Sequence, residues 1–132
     1  MKRKILFLCT GNSCRSQMAE GFAKKLGWDA HSAGTHPEIA VNHNAIKAMN
    51  EMGIDISHHQ PESLDSYLNQ HFNIVASVCD NAKYSCPIFN GTSDSIIHQS
   101  FKDPANALGS EEEIINEFRE VRDLIKVWID SL

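Results

Sequence analysis

Apolar positions along the chain follow two rhythms, and their alternation lays out the fold. Ile5 to Cys9 is a short unbroken apolar run, the pattern of a parallel strand buried on both faces. The run breaks at Gly11-Asn12-Ser13. Beyond it Met18, Ala19, Phe22, Ala23 and Leu26 repeat at the three- and four-residue spacing of one helix face. Gly27 stands where a helix C-cap belongs. Trp28 to Ala33 predicts a second strand, running into the loop Gly34-Thr35-His36-Pro37. Val41, Ala45, Ala48, Met49 and Met52 return to helical spacing, and Gly53 closes that element.

The stretch from Ser57 to His71 is polar, contains Pro61 and shows no clear period. Ile74 to Val78 predicts a further strand and Ser95 to Ser100 another, with a loop rich in Asn, Ser, Pro and Gly between them. The last helix is the best marked. Ser110 with Glu113 forms a capping box, and Ile114, Phe118, Val121, Ile125 and Trp128 make a stripe suited to core contact. Strands alternate with helices from end to end. That order predicts an α/β fold, a single domain over residues 1–132 with a central four-stranded parallel sheet flanked by helices on both faces.

Composition narrows the function classes. A chain of 132 residues buries roughly two-thirds of its unfolded surface, enough for a core without disulfides or a structural metal. With 42% hydrophobic and 22% charged residues it is no disordered chain, and no apolar run reaches the about 18 residues of a membrane span. Lys and Arg number 12 against 17 Asp and Glu, so a formal charge of −5 argues against a general nucleic-acid binder. An anion would have to be held by local geometry. The opening Met1 to Leu8 is too short in its apolar part for a signal peptide, and Asn12, Arg15 and Gln17 follow at once, so a cytoplasmic protein is expected. In a reducing compartment the four cysteines, Cys9, Cys14, Cys79 and Cys86, suit catalysis, redox chemistry or metal binding better than crosslinking.

The chemistry concentrates after the first strand. Cys9-Thr10-Gly11-Asn12-Ser13-Cys14-Arg15-Ser16 puts a thiol at a strand's end, five loop residues next, then an arginine opening a helix. Backbone N–H groups of Thr10, Gly11, Asn12, Ser13 and Cys14 can form a nest, to which the helix adds its positive end. Arg15 supplies a planar fork matching two oxygens of a tetrahedral oxyanion. The same field favours the thiolate at Cys9, and Ser16 can donate to it. Taken alone, the segment also suits a plain strand–turn–helix with Cys9 as a small buried residue. Asp103-Pro104 is a turn by itself; beside this loop it reads as a general acid for a leaving oxygen.

These residues resemble the low-molecular-weight protein tyrosine phosphatase superfamily, and within it the thioredoxin-coupled arsenate reductases. The likeness runs over the whole chain. It is carried by CTGNSCRSQMAEG at 9–21, Ser32-Ala33-Gly34, Gly53-Ile54-Asp55-Ile56-Ser57, Cys79 with Cys86-Pro87, FKDPA at 101–105 and Phe118 to Asp123. The resemblance implies a fold of that kind and a three-cysteine cascade. Cys9 would attack arsenate held by Arg15 and the loop amides, Asp103 would protonate the departing oxygen, and Cys79 and Cys86 would end as a disulfide that thioredoxin reduces. Reduction of arsenate takes two electrons, hence at least two thiols. The implied pair carries a geometric condition. Seven residues apart on a helix they would be separated by about 10 Å along the axis. A disulfide needs Cα atoms within about 7 Å, so the segment has to bend during turnover. Reduced and oxidised forms are expected to differ mainly between Cys79 and Thr92, which hydrogen exchange would report.

Some members of that group also hold potassium with Asn, Ser, Thr and Asp side chains. Asn12 and Ser32 match, while the Thr and Asp positions fall on Gln60 and Glu62. No tightly bound cofactor is expected. Seven histidines, none paired with a cysteine at zinc-finger spacing, are read as solvated surface residues, and Cys14 as a packed thiol. Arsenate as substrate, thioredoxin as reductant, no nucleic acid, no membrane and a monomer complete the expectation. Two other readings stand beside it. One is a phosphatase acting through a Cys9 phosphocysteine, although Ala105-Asn106 stand where such enzymes usually place aromatics. The other is a non-enzymatic oxyanion or redox sensor.

Overall fold

The computed structural model describes residues 3–78 and 89–132. Four strands, β1 (Lys4–Cys9), β2 (Asp29–Gly34), β3 (His71–Ser77) and β4 (Thr92–His98), form one parallel sheet in the order β2-β1-β3-β4. Helices α1 (Arg15–Lys25), α2 (His43–Asn50) and α3 (Glu111–Asp130) complete the frame. β1 lies inside the sheet, and its side chains divide by parity. Ile5, Phe7 and Cys9 face the core built by α1, α2 and α3, while Leu6 and Leu8 face a second core with Leu64, Tyr67, Phe72 and Phe89. Both faces of the sheet are covered, as expected. The cover is unequal among the described residues: the three α-helices share one face, and the 3-10 turn Leu64–Tyr67 with Phe89 serves the other.

Boundaries moved where short-range pattern is weak. Helix α1 begins at Arg15, directly after the loop, and nearly all of it is buried, so its polar residues Gln17 and Glu20 are interior. β4 spans Thr92–His98, three residues earlier than Ser95. It is an edge strand with mostly exposed positions, so no burial pattern marked its start. The polar stretch from 57 to 71 holds the 3-10 turn, capped by Ser63, whose Oγ accepts from Asp65 N. In α3 the capping box is present, and the buried stripe centres on Ile115, Phe118, Val121, Ile125 and Ile129, with Ile114 and Trp128 at its flanks.

Two glycines set the spacing around β1. A Cβ on Gly34 would lie 2.3 Å from the Thr10 carbonyl oxygen, so β2 can approach the loop after β1 only without a side chain there. A Cβ on Gly21 would meet Ile56 Cγ2 at 2.9 Å, which lets α1 lie against the 54–56 segment. No described helix is long and apolar enough to cross a membrane.

Candidate active site

The site sits at the carboxyl ends of β1 and β2, where ligands of open parallel sheets bind. Carbonyls of Thr10, Gly11 and Ser13 accept from the backbone N–H groups of His36, Glu38 and Asn42 at 3.0, 2.9 and 3.0 Å. A trans peptide points each C=O opposite to the next N–H. The amides of Gly11, Asn12 and Cys14 are therefore turned away from the 36–42 segment, as an oxyanion cradle requires. Asn12 takes φ of 50°, the left-handed conformation that a short polar side chain tolerates when it bonds locally. It does so here. Its Nδ2 donates to Ser16 Oγ at 2.8 Å, and its Oδ1 accepts from Glu62 N at 2.9 Å and Gln17 Nε2 at 3.1 Å.

Cys9 is 3% exposed, and its sulfur lies 2.9 Å from Ser16 Oγ. Arg15, 7% exposed, donates from Nη1 to the Phe101 carbonyl at 3.0 Å and sets Nη2 3.4 Å from Asp103 Oδ2. Asp103 also caps the 3-10 turn Pro104–Asn106, its Oδ1 accepting from Ala105 N at 3.0 Å. A cavity of about 290 Å³ gathers Cys9, the loop, Arg15 and Asp103. Cys14 is a packed thiol beside it, pushed up to about 12 by burial, with the negative charges of Asp103 and Cys9 adding to the effect.

The expected residues Cys9, Thr10, Gly11, Asn12, Ser13, Cys14, Arg15 and Asp103 thus line one cavity, and Ser16 stands behind the sulfur. Cys79 and Cys86 lie outside the described residues, as does the greater part of the segment expected to rearrange. His36 and Glu38 also line the cavity, and no motif marked them. Their position was the signal, because they follow the strand adjacent to β1. Buried Gln17 and Glu20 and the ring of His59 were missed outright. His59 corrects the view of the histidines as surface groups: its side chain is 5% exposed, bonded through Nδ1 to Gln17 Oε1 at 3.0 Å. Burial holds its ring below the usual histidine range, Lys24 and His58 push the same way, and the Glu20 and Asp55 carboxylates oppose them.

Asn12, Ser32, Gln60 and Glu62 do come near one another, around Gln17 and Glu20. They are already bonded to neighbouring groups. Asn12 Oδ1 holds two N–H donors, Ser32 Oγ donates to Glu20 Oε1 at 2.6 Å, the Gln60 carbonyl faces Gln17 Nε2 at 3.3 Å, and Tyr67 donates to the Glu62 carboxylate. The positive charge is supplied internally, by Lys24 Nζ at 2.7 Å from Glu20 Oε2. So arranged, Lys24 already stands at Glu20 as the cation that a potassium ion would otherwise bring there.

Fold and site together define a class, a parallel α/β protein that carries a thiol and an arginine in a strand–loop–helix oxyanion cradle. The chain belongs to the low molecular weight phosphotyrosine protein phosphatase family, whose model matches residues 4–132. Among its relatives, a Halalkalibacterium halodurans protein named arsenate reductase is 49% identical over 127 residues, covering 94% of this chain and 90% of the relative. One of the same name from Staphylococcus aureus (strain Newman) is 43% identical over 133 residues, covering 98% and 95%. A solved structure described as an arsenate reductase in the phosphate binding state superposes with a TM-score of 0.82 at 32% identity, covering 98% of this chain and 95% of that one.

Proposed function

We propose that the protein reduces arsenate to arsenite by a three-cysteine cascade that thioredoxin regenerates. The carrying observation is the make-up of the cavity. Cys9, the loop after β1, Arg15, Asp103, Ala105 and Asn106 line it together. Such a cavity suits a small inorganic oxyanion, because no Phe, Tyr or Trp is among its described lining residues to clamp a phenyl ring. The names of the relatives support the same substrate.

The Cys9 thiolate attacks the As(V) centre, with Ser16 donating to the sulfur beforehand and the loop amides and Arg15 holding the oxygens. Asp103 gives its proton to the departing oxygen, which leaves as water. Cys79 then attacks the Cys9 sulfur. The S–As bond breaks, its electron pair stays on arsenic, and arsenite leaves as As(III) with a Cys9–Cys79 disulfide behind it. Cys86 displaces Cys9 from Cys79, and the Cys79–Cys86 disulfide passes to the thioredoxin dithiol. Two thiols supply the two electrons. The reading places the protein in the reducing cytoplasm, as a monomer, and independent of potassium, so that replacing K⁺ by Na⁺ leaves the rate unchanged.

The test is arsenate-dependent NADPH oxidation with thioredoxin and thioredoxin reductase, with aryl-phosphate hydrolysis measured alongside. Wild type is expected to consume NADPH, and Cys79→Ser to lose this while still cleaving the phosphoester. The family description keeps a second reading, phosphoester hydrolysis through a Cys9 phosphocysteine. No arsenate-dependent electron flow, with equal hydrolysis by both proteins, would decide for it.

A further inference from the structure

Hydrogen-bond donors hold an oxyanion whether or not its oxygens carry protons. The loop amides and Arg15 only donate, so a bare oxygen and a hydroxyl oxygen both satisfy them. A fixed acceptor is needed to tell the two apart. Two carboxylates line the cavity, Asp103 and Glu38. Asp103 is committed, with Oδ2 3.4 Å from Arg15 Nη2 and Oδ1 accepting from Ala105 N at 3.0 Å. In the proposed reaction it meets the departing oxygen as a donor. The His36 ring, with Nδ1 3.2 Å from Thr35 Oγ1, can present either a proton or a lone pair, as can the Ser13 hydroxyl and the Asn106 amide. An ionised Glu38 can only accept.

The Glu38 backbone lies outside the cradle, its N–H on the Gly11 carbonyl at 2.9 Å. Its side chain folds back across Gly11. Cγ stands 3.1 Å, and Oε1 3.5 Å, from the point where a Cβ on Gly11 would be, so the side chain uses the room which that missing atom leaves. Among the described residues no cation pairs with this carboxylate. An unpaired carboxylate in an anion cavity repels the anion, unless the anion brings a proton to share with it.

We propose that Glu38 is a specificity-determining residue, accepting a hydrogen bond from a hydroxyl of the bound oxyanion and so favouring hydroxyl-bearing oxyanions over fully deprotonated ones. Near neutral pH arsenate keeps at least one hydroxyl, and so does phosphate, its non-reducible analogue. Sulfate and the dianion of a phosphomonoester keep none, and to them Glu38 offers repulsion alone.

The proposal rests on the reading of the cavity as an oxyanion site, and on neither electron transfer nor thioredoxin. It is tested by calorimetric titration of the reduced full-length protein with phosphate and with sulfate, in mildly alkaline buffer of matched ionic strength. Both are dianions there, so the ratio of their dissociation constants cancels the effect of bare charge. Wild type is expected to prefer phosphate. Glu38→Met keeps the stem over Gly11 and loses the acceptor, and should lower the preference about fivefold, the scale of one hydrogen bond at an exposed group, chiefly by tightening sulfate. Glu38→Asp keeps an acceptor and should retain most of the preference. Equal changes for both anions in Glu38→Met mark a charge at the rim and overturn the proposal, as do unchanged constants. A preference lost in Glu38→Asp but kept in Glu38→Met marks packing over Gly11 and overturns it too. If Glu38→Met does not fold, Glu38→Gln is read by the same criteria, its amide being free to donate. Wild type that binds neither anion removes the cradle and this role with it. Absence of arsenate-driven NADPH oxidation with the shift in preference present would count against the reductase, not against Glu38.

Discussion

Arg15 meets the Phe101 carbonyl with one arm of its fork and Asp103 with the other, so its plane is set before any oxyanion arrives. A lysine would keep the charge and lose the fork. Arg15→Lys is therefore expected to lower kcat/KM for arsenate and for an aryl phosphate alike, by about 10²-fold, the usual cost of one lost oxyanion donor. Steady-state kinetics on both substrates checks this. Cys14 gives a pH prediction. Its thiol is held at about 12 in the folded protein against 9.0 when free, mainly by burial. Above pH 9 the unfolded chain releases this proton and the native one keeps it, so the contribution is intact below pH 9 and is lost as pH rises toward 12. Buried Tyr67, beside Glu62, is raised too and acts in the same sense. Denaturant melts of Cys14→Ser should show a shallower alkaline decline than wild type. At this scale the sequence was informative where chemistry is local: Cys9, Arg15 and Ser16 stand within eight residues, and Asp103 carries its own proline. Gln17 and His59 are 42 positions apart, and no local pattern joins them.

Among the elements, β2 and the loop after β1 depend on one missing side chain. Gly34→Ala places a methyl group 2.3 Å from the Thr10 oxygen and must push strand or loop aside. The expected cost is about 1–3 kcal/mol, the range for overpacked cores, with weakened oxyanion binding because Thr10 belongs to the cradle; thermal melts with and without phosphate separate the two. The α2–α3 contact makes a second case. Glu51, just past α2, meets Arg119 at 2.7 Å and Arg122 at 2.8 Å, and these guanidinium groups hold its carboxyl down at about 2. A lowered folded value means stability present above pH 4.5 and lost as pH falls toward 2. Glu51→Gln should flatten part of the acid denaturation curve while costing at most about 1 kcal/mol at neutral pH, since the pair is partly exposed. Long periodic elements were the legible ones: α3 announced itself by cap and stripe. The 3-10 turn Leu64–Tyr67 was not, because a single turn has no period and its burial depends on partners distant in sequence, among them Leu6, Leu8 and Phe89.

Taken whole, the molecule carries a charge of −5 and still presents an anion cradle, so oxyanion affinity rests on local groups and should appear as added global stability. Phosphate at about 100 times its Kd is expected to add about 2.7 kcal/mol to the wild type, and Arg15→Lys to lose most of the resulting rise in melting temperature. The parallel sheet that holds the cradle also orders events in time. The guanidinium of Arg15 is anchored on a carbonyl 86 residues further along the chain. At a translation rate of about 5–20 residues per second, roughly 4–17 s pass between the two leaving the peptidyl-transfer centre. During that interval the nascent chain already carries the Cys9 sulfhydryl, but neither the arginine's anchor nor the acid at 103 exists. In the unfinished polypeptide that sulfhydryl has an ordinary thiol's reactivity, and the oxyanion grip that directs it is completed only when residues 101–103 have been added.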